Sequence, residues 1–254
     1  MRRLVKLILN YIPRTILTRL SFILKPLIRI YLYGNKYTDP IDGSSFRKFL
    51  PYGYNNVRKN ALSPSTFSLE RHRLLWLYLE NETPFFKKKL KVLHFAPEAA
   101  YYSRFKNLTN LIYHTTDINS PLATIKADIC DLPMKDSSYD FILCNHVLEH
   151  IIDDKKAMKE LYRVLKKGGI GIFQVPLDEN RKKTYEDSSI VTQNERNEAF
   201  GQYDHVRIYG MDFFDRLSEA GFRVEKCNYT SQLSKEEIEK FCLPNNEIIP
   251  VCYK

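Results

Sequence analysis

Residues 124–177 read TIKADICDLPMKDSSYDFILCNHVLEHIIDDKKAMKELYRVLKKGGIGIFQVPL, and this stretch decides the fold. The compact apolar run over 139–144 predicts a buried strand. A helix over 153–167 is predicted next, because apolar residues recur there at helical spacing. Gly168 is expected to end that helix in the left-handed conformation, before a second buried strand over 170–175. Strand, helix and strand in this order predict a parallel crossover unit.

Further strands and helices alternate on both sides of this unit. The additional predicted strands are 90–96, 111–116, 124–127, 222–229 and 247–253. Helices are expected between several of them. This alternation predicts an α/β fold with a doubly wound, mostly parallel seven-stranded sheet, whose ligand lies beyond the carboxyl ends of the strands.

The formal net charge of +9 is concentrated at the N-terminus. Residues 1–36 hold eight of the 39 lysines and arginines and no acid, so the remainder carries 31 basic (39 less 8) against 30 acidic residues. A neutral body argues against a nucleic-acid partner. The five cysteines are scattered without a Cys-x-x-Cys pair, which favours a reducing, cytoplasmic compartment and neither disulfides nor a cysteine metal site.

Residues 1–36 are expected to form an amphipathic helical arm. Large apolar residues recur there beside regularly spaced cations, and Pro13 and Pro26 interrupt the run. A spanning helix needs roughly 20 uninterrupted apolar residues, so we expect the arm to lie peripherally on the inner face of an anionic membrane. Packing of the arm on its own domain or on a partner subunit is the alternative.

Acidic residues follow the second and third predicted strands. Asp117 ends the second strand and is placed to accept hydrogen bonds from a ribose diol. Asp128 ends the third strand and can accept from an exocyclic amine, while the backbone N–H of Ile129 can pair with an adenine ring nitrogen. These residues together predict a nucleoside site.

The order of these motifs resembles the class I S-adenosylmethionine-dependent methyltransferases, most closely the type-11 group. The resemblance covers about residues 90–253 and is most specific from Asp128 to Gly169. The matching residues are Asp117, ADICDLP over 127–133, YDF over 139–141, NHVLEH over 145–150 and ELYRVLKKGG over 160–169. The resemblance implies a Rossmann-like fold, an enzyme that transfers a methyl group, and S-adenosylmethionine as its cofactor.

The resemblance also implies roles for individual residues. Asp117 is expected to hold the ribose, and Asp128 and Ile129 the adenine. Asn145 and His146 are expected beside the methionine end of the cofactor.

The first loop, His94-Phe95-Ala96-Pro97-Glu98, departs from the family, whose loop is normally rich in glycine. We expect His94, Ala96 and Glu98 still to contact the cofactor, with Ala96 allowing close approach and Glu98 pairing with the amino group. A decayed cofactor site is the alternative.

Two histidines are the candidate catalytic residues. Orientation supplies most of the acceleration in a methyl displacement, so a base is needed only if the acceptor carries a proton that must leave. His146 and His205 are the candidates for that base, since His205 follows the polar segment 178–203, which is expected to form an insertion or lid.

Residues 37–82 resemble a zinc ribbon that precedes this domain in some bacterial members. The frames DPIDG over 39–43 and SPST over 63–66 correspond to its two cysteine knuckles, but all four thiolates are missing. Aspartate, serine and threonine are a poor zinc ligand set, so we expect a degenerate ribbon without metal, held by packing. The predicted domains are thus 1–36, 37–82 and a methyltransferase domain over 83–254.

Residues 146–150 also match the His-x-x-Glu-His pattern of inverted zinc peptidases. That chemistry needs both histidines on one face of a helix and a third ligand, whereas this pattern directly follows a buried strand. We therefore expect no metal, with His150 as a hydrogen-bonded structural histidine.

The sequence predicts a membrane-peripheral methyltransferase that acts on a small molecule or an envelope glycan precursor. The alternative is a non-catalytic, membrane-attached interaction protein on a methyltransferase scaffold. The glycine-free first loop and the missing thiolates motivate that alternative, and retained cofactor binding distinguishes the two.

Overall fold

The computed structural model describes residues 24–53 and 57–254. The chain divides into two compact units, one of residues 1–77 with 233–245 and the other of residues 78–232 with 246–254. Most of the predicted amphipathic arm lies outside the described residues. Within the described ranges, no helix combines the length and the apolar character that crossing a membrane requires.

The first unit is built from short elements. In chain order these are helix α1 (24–32), strands β1 (Tyr33–Thr38), β2 (Ser45–Phe46), β3 (Leu50–Tyr52) and β4 (Arg58–Leu62), and helix α2 (Glu70–Glu82), which ends in the second unit. Strand β1 pairs antiparallel with β2, and β3 pairs antiparallel with β4. A short helix over Lys235–Lys240, with Ser234 in a capping box, also belongs to this unit.

The turns over 39–43 and 63–68 are joined by side-chain hydrogen bonds. Asp39 is fully buried and accepts hydrogen bonds from the hydroxyls of Thr66 and Ser68. Asp42 accepts one from the Ser65 hydroxyl at 3.1 Å. Hydrogen bonds between aspartates and hydroxyls therefore connect these turns, in addition to the packing that the sequence predicts.

Arg73 explains why residues 233–245 group with the first unit and not with the predicted domain over 83–254. Its guanidinium is fully buried and donates to the carbonyl oxygens of Phe241 and Cys242, at 2.7 Å each. The same guanidinium donates to the carbonyls of Ala61 and Ser68. One arginine thus ties the segment to β4 and to the start of α2.

The second unit holds the alternating strands and helices. In chain order they are β5 (Leu90–Phe95), α3 (Ala99–Lys106), β6 (Leu111–Thr116), β7 (Tyr139–Cys144), α4 (Asp154–Val164), β8 (Leu165–Ile172), β9 (Tyr185–Glu186), α5 (Gln193–Phe200), β10 (Arg207–Ile208), α6 (Phe213–Glu219), β11 (Arg223–Cys227) and β12 (Ile249–Tyr253). A 3₁₀ turn over Leu148–His150 precedes α4.

The main sheet confirms the predicted doubly wound, mostly parallel, Rossmann-like fold. Its order is β11-β12-β8-β7-β5-β6, with β8, β7, β5 and β6 parallel and β12 and β11 antiparallel to their neighbours. Among the described residues this sheet has six strands, so the predicted count of seven is wrong. Residues 124–127 contribute only an isolated bridge between Thr116 and Ile125. The Thr124 hydroxyl bonds both the N–H and the carbonyl of Thr115, and so takes backbone groups that a strand ladder would use.

Gly168 is left-handed as predicted, with φ +76°, but it does not end the helix. Helix α4 ends at Val164, and Gly168 lies within β8, where the register with β7 shifts. The backbone N–H groups of Ser137 and Ser138 donate hydrogen bonds to the carbonyl oxygens of Arg163 and Val164. The last turn of the helix therefore needs no glycine cap.

The polar segment after β8 is more ordered than its composition predicts. It contains α5, which begins with a capping box between Thr192 and Glu195. Its two ends are tied together, because β9 pairs with β10 and Leu177 forms a parallel bridge with Tyr209. The segment therefore leaves the sheet and returns to it at fixed points.

Candidate active site

A cavity of about 150 Å³ lies beyond the carboxyl ends of β5 and β6. Its lining includes Phe95, Ala96, Thr116, Asp117, Ile118 and Ile129. These residues come from the first loop and from the ends of two parallel strands, the edge of a doubly wound sheet at which ligands bind.

Asp117 has one carboxylate oxygen fixed and the other available. Its Oδ1 accepts the backbone N–H groups of Asn119 and Ser120, at 2.7 Å each. Its Oδ2 has no hydrogen-bond partner within the described ranges. An oriented carboxylate with an available oxygen suits the ribose hydroxyls that the sequence assigns to it.

Thr116 and the turn 127–130 complete this side of the cavity. The Thr116 hydroxyl is buried and has no hydrogen-bond partner among residues 24–53 and 57–254, and the residue lines the cavity. Ile129 is buried in the lining, whereas Asp128 is exposed and its side chain accepts the N–H of Cys130 at 2.8 Å. The structure thus brings Asp117 and Ile129 to one cavity and leaves the Asp128 carboxylate on the surface of the turn.

 The first loop keeps a glycine-like backbone conformation without a glycine. Ala96 has φ +43°, in the left-handed region that glycine favours and other residues rarely adopt. Its N–H donates to the carbonyl of Thr116 at 3.0 Å, which fixes the turn after β5. Ala96 lies in the lining of the cavity.

Glu98 is held by a buried hydrogen-bonded chain. His94 is fully buried, with Nε2 2.6 Å from Glu98 Oε2 and Nδ1 2.7 Å from the Tyr113 hydroxyl. Burial, together with the charge of Glu98, raises the pKa of Tyr113, so its hydroxyl stays protonated and donates to Nδ1. Nε2–H then donates to Glu98. His94 therefore supports Glu98 from inside the sheet and does not itself line the cavity.

Asn145 connects Glu98 to the next strand. It is buried, its Nδ2 donates to Glu98 Oε1 at 3.4 Å, and its Oδ1 accepts the N–H of Gln174 at 3.3 Å. The predicted residues of the methionine end thus lie together at the ends of β5 and β7.

His146 occupies a strained position directly after Asn145. Its φ is +55°, and its backbone N–H donates to the carbonyl of Gln174 at 2.8 Å. Its Nδ1 lies 3.4 Å from Glu149 Oε1, while its Nε2 is buried and has no hydrogen-bond partner in the described part of the chain. Backbone strain of this kind concentrates at functional sites.

His205 reaches the same neighbourhood through backbone contacts. The N–H of Val206 donates to the carbonyl of Glu149 at 2.9 Å. The Arg207 guanidinium, only 4% exposed, donates to the carbonyls of Leu148, Ile151 and Ile152. Burial lowers the pKa of His205, and the Glu149 charge opposes that shift. The two candidate bases therefore both lie beside Glu149.

The sequence did not predict a role for Tyr113 or Thr116, nor that Arg207 binds the backbone carbonyls of residues 148, 151 and 152. The partners of Tyr113 and Arg207 are distant in the sequence, so no local pattern marks either residue. A conspicuous signal was available only for Glu149, which lies inside the His-x-x-Glu-His pattern.

A family model described as a methyltransferase domain matches residues 94–173. An uncharacterized protein of Methanocaldococcus jannaschii is 32% identical over 113 residues, which are 43% of this chain and 51% of that protein. The chloroplastic 2-phytyl-1,4-beta-naphthoquinone methyltransferase of Arabidopsis thaliana is 43% identical over 44 residues, 17% of each chain. This chain thus spans about half, or less, of the curated relatives that it matches.

Among solved structures, an S-adenosylmethionine-dependent methyltransferase from Mesorhizobium loti is similar, with a TM-score of 0.49 and 13% identity. The similarity covers 71% of this chain and 98% of that one. The family match confirms the resemblance found in the sequence. Residues 94–173 are thus similar to a methyltransferase domain, in agreement with the type-11 resemblance of the sequence.

The residues at the cavity fit the adenosine part of this cofactor. The orphaned Thr116 hydroxyl and the available oxygen of Asp117 are polar groups that a ribose could satisfy. Ile118 and Ile129 supply apolar walls for a flat base. Glu98 lies outside this lining, two residues after Ala96 in the first loop.

Proposed function

We propose that the protein is an S-adenosylmethionine-dependent methyltransferase that acts on a small-molecule acceptor. The observation that carries the proposal is that Asp117 and the Thr116 hydroxyl, which has no hydrogen-bond partner among the described residues, line one cavity together with a left-handed Ala96. A first loop that preserves the required backbone conformation without glycine argues against a decayed site.

Each residue then has a specific task in holding the cofactor. Asp117 accepts the ribose hydroxyls, and Ile118 and Ile129 pack against the adenine. Glu98, oriented by His94 and Asn145, pairs with the amino group of the methionine part. S-adenosylmethionine, when bound, supplies an electrophilic methyl group on a sulfonium centre.

His146 and His205 are proposed to receive a proton where the acceptor must lose one. His205 suits this task because burial lowers its pKa and favours the neutral imidazole at neutral pH. Envelope glycan precursors belong to the proposed acceptors as well. Their hydroxyl groups carry a proton that must leave on methylation, and such a base would receive it.

A peripheral membrane location is proposed on the exposed face of α1 and the start of β1. Leu27, Ile30 and Tyr33 are 64%, 74% and 79% exposed, and Lys25 and Arg29 lie beside them. Apolar side chains flanked by cations bind anionic lipid surfaces. The protein should co-sediment with phosphatidylglycerol vesicles, and the double variant Leu27→Gln/Ile30→Gln should bind them more weakly. Equal binding by that double variant would refute this location.

Titration calorimetry with S-adenosylhomocysteine tests the proposed function. We expect micromolar binding that Asp117→Ala abolishes and that Asp215→Ala, an exposed acid on α6, leaves unchanged. Binding that Asp117→Ala does not affect would move the cofactor elsewhere. No binding by the folded wild type would favour the alternative, a non-catalytic interaction protein on this scaffold.

A further inference from the structure

Glu149 is a buried carboxylate that the described residues do not satisfy. Its side chain is 2% exposed, and neither oxygen has a hydrogen-bond partner in the part of the chain that the structure describes; the nearest charged group given is His146 Nδ1, 3.4 Å from Oε1. Burying an unsatisfied charged group is costly, so such a group usually marks an interaction that the protein atoms alone do not supply.

Two histidines surround this carboxylate. One nitrogen of His150, one nitrogen of His205 and an oxygen of Glu149 all lie within 4.8 Å of one another. The rings of His150 and His205 meet edge to face, with centroids 4.8 Å apart. Three donor atoms at such spacing surround a volume that a single ion could fill.

The hydrogen bond of His150 selects a tautomer that suits a metal ligand. Its Nδ1 lies 3.1 Å from the carbonyl oxygen of Asp204, an acceptor, so Nδ1 carries the proton. This leaves Nε2 with its lone pair. A histidine that binds a metal usually donates its other N–H to a carbonyl or a carboxylate in this way.

The backbone around the cluster is fixed, and the cluster can be reached from solvent. Arg207 binds three carbonyls of the turn that carries Glu149 and His150. The N–H of Val206 binds the carbonyl of Glu149, which sets the position of its neighbour His205. The His150 side chain is 29% exposed, which gives an ion a path to the buried carboxylate.

We propose that Glu149, His150 and His205 bind one divalent transition-metal ion. Two imidazoles and one carboxylate form the ligand set of three-ligand zinc sites, which keep a further coordination position open. No metal was predicted for the His-x-x-Glu-His pattern, because it directly follows a buried strand, whereas peptidase chemistry needs both histidines on one helix face and a third ligand. The third ligand is His205, which lies 55 residues further along the chain and which the pattern alone cannot reveal.

The open position has a consequence that rests on the proposed function. It suits an acceptor that approaches through an oxygen or nitrogen atom. A His205 that binds the ion cannot also receive the proton, so His146, whose Nδ1 lies 3.4 Å from Glu149, is then the candidate base that remains beside the acceptor.

Titration of the full-length protein with Co²⁺, followed by visible absorption, tests the site. We expect one Co²⁺ per chain, with ligand-field bands typical of nitrogen and oxygen ligands, and displacement by Zn²⁺. Glu149→Gln and His205→Gln should each weaken binding by more than about 100-fold, beyond the 10–100-fold that losing an outer-shell partner costs. His114→Gln, a histidine outside the cluster, should bind as the wild type does.

Three results would overturn the proposal. They are absence of Co²⁺ binding, a thiolate-to-cobalt charge-transfer band that reports binding at the free cysteines, and wild-type affinity in a folded Glu149→Gln or His205→Gln. Circular dichroism identifies the folded variants. The partly exposed His205 provides the second test if Glu149→Gln does not fold.

S-adenosylhomocysteine binding is measured separately on the same samples. Metal binding without cofactor binding would refute the proposed function and leave the metal site in place. Cofactor binding without metal binding would do the reverse.

Discussion

The Nε2 atom of the buried His94 lies 2.6 Å from Oε2 of Glu98, four residues further along the chain. On the other side of the imidazole, the Tyr113 hydroxyl lies 2.7 Å from Nδ1, so a hydrogen-bonded chain runs from Tyr113 through His94 to the Glu98 carboxylate in the first loop. Because His94 and Asn145 both contact the Glu98 carboxylate, the first loop holds this side chain in place without the glycines that the family normally has there.

Tyr113→Phe tests this hydrogen-bonded chain. It removes the donor to His94 and leaves Nδ1 of that histidine buried without a partner. We expect about 1 kcal/mol lower stability and roughly 2–10-fold weaker binding of S-adenosylhomocysteine, the range of a single buried hydrogen bond. Calorimetry and urea unfolding measure the two effects. Tyr102→Phe is the control, and equal losses in both variants would disprove a specific role for Tyr113.

Ala96→Gly tests the strain in the first loop. A left-handed alanine costs roughly 1–2 kcal/mol, while glycine adds unfolded-state entropy of about 0.4–1 kcal/mol. The net expectation is a stabilisation of about 0.5–1 kcal/mol in urea unfolding, with cofactor affinity retained. The same substitution at Ala100, a buried position in α3, should destabilise by about 1 kcal/mol. Destabilisation by Ala96→Gly would show that the left-handed backbone carries no strain.

Asp39→Ala tests the junction between the two turns of the first unit. It removes the acceptor for the hydroxyls of Thr66 and Ser68 and for the N–H of Ile41. We expect a loss of about 2–4 kcal/mol, because bonds to a buried charged group are among the stronger ones. Asp42→Ala should cost less, since Asp42 is only partly buried. Urea unfolding measures both, and the reverse ranking would contradict the prediction.

Glu160 gives a pH-dependent contribution to stability. The Arg163 guanidinium donates to both of its oxygens and lowers its pKa; burial opposes this, and the Leu132 N–H assists it. A pKa that is lower in the folded state stabilises the fold above the unfolded value, about 4.3, and that stabilisation disappears as pH falls through the folded value.

Glu160→Gln should therefore reduce stability by about 1 kcal/mol at pH 7. The difference from the wild type should shrink steadily as pH falls below about 4. Urea unfolding across this pH range measures the difference. A gap that stays constant down to acid pH would show that ionisation of Glu160 contributes nothing.

The periodic segments of this protein were predictable from sequence, and the contacts between distant segments were not. Asp153 and the apolar spacing behind it indicate α4 because both signals are local. The end of α4 was misplaced because the groups that satisfy its carbonyls, Ser137 and Ser138, precede the helix by many residues. The strand predicted over 124–127 does not form, because the Thr124 hydroxyl bonds backbone groups of Thr115 that a strand ladder would use.

The candidate site divides in the same way. Asp117 and Ile129 follow strands directly, so their place at the cavity could be inferred from the strand order. The grouping of His205 with Glu149 and His150 depends on a return of the chain after a long excursion, which no local pattern encodes. Burial also had no sequence signal, and it is burial that distinguishes Glu149 from an ordinary surface acid.

The bridge between Leu177 and Tyr209 makes the excursion from 178 to 208 a module anchored at its base. Because closing a longer loop costs little additional entropy, residues can be inserted around 187–192 without displacing His205 or the turn that Arg207 holds. The part of the protein nearest the expected acceptor can therefore vary in length and composition among descendants of this chain. The cofactor cavity and the histidine cluster would stay the same while substrate preference changes.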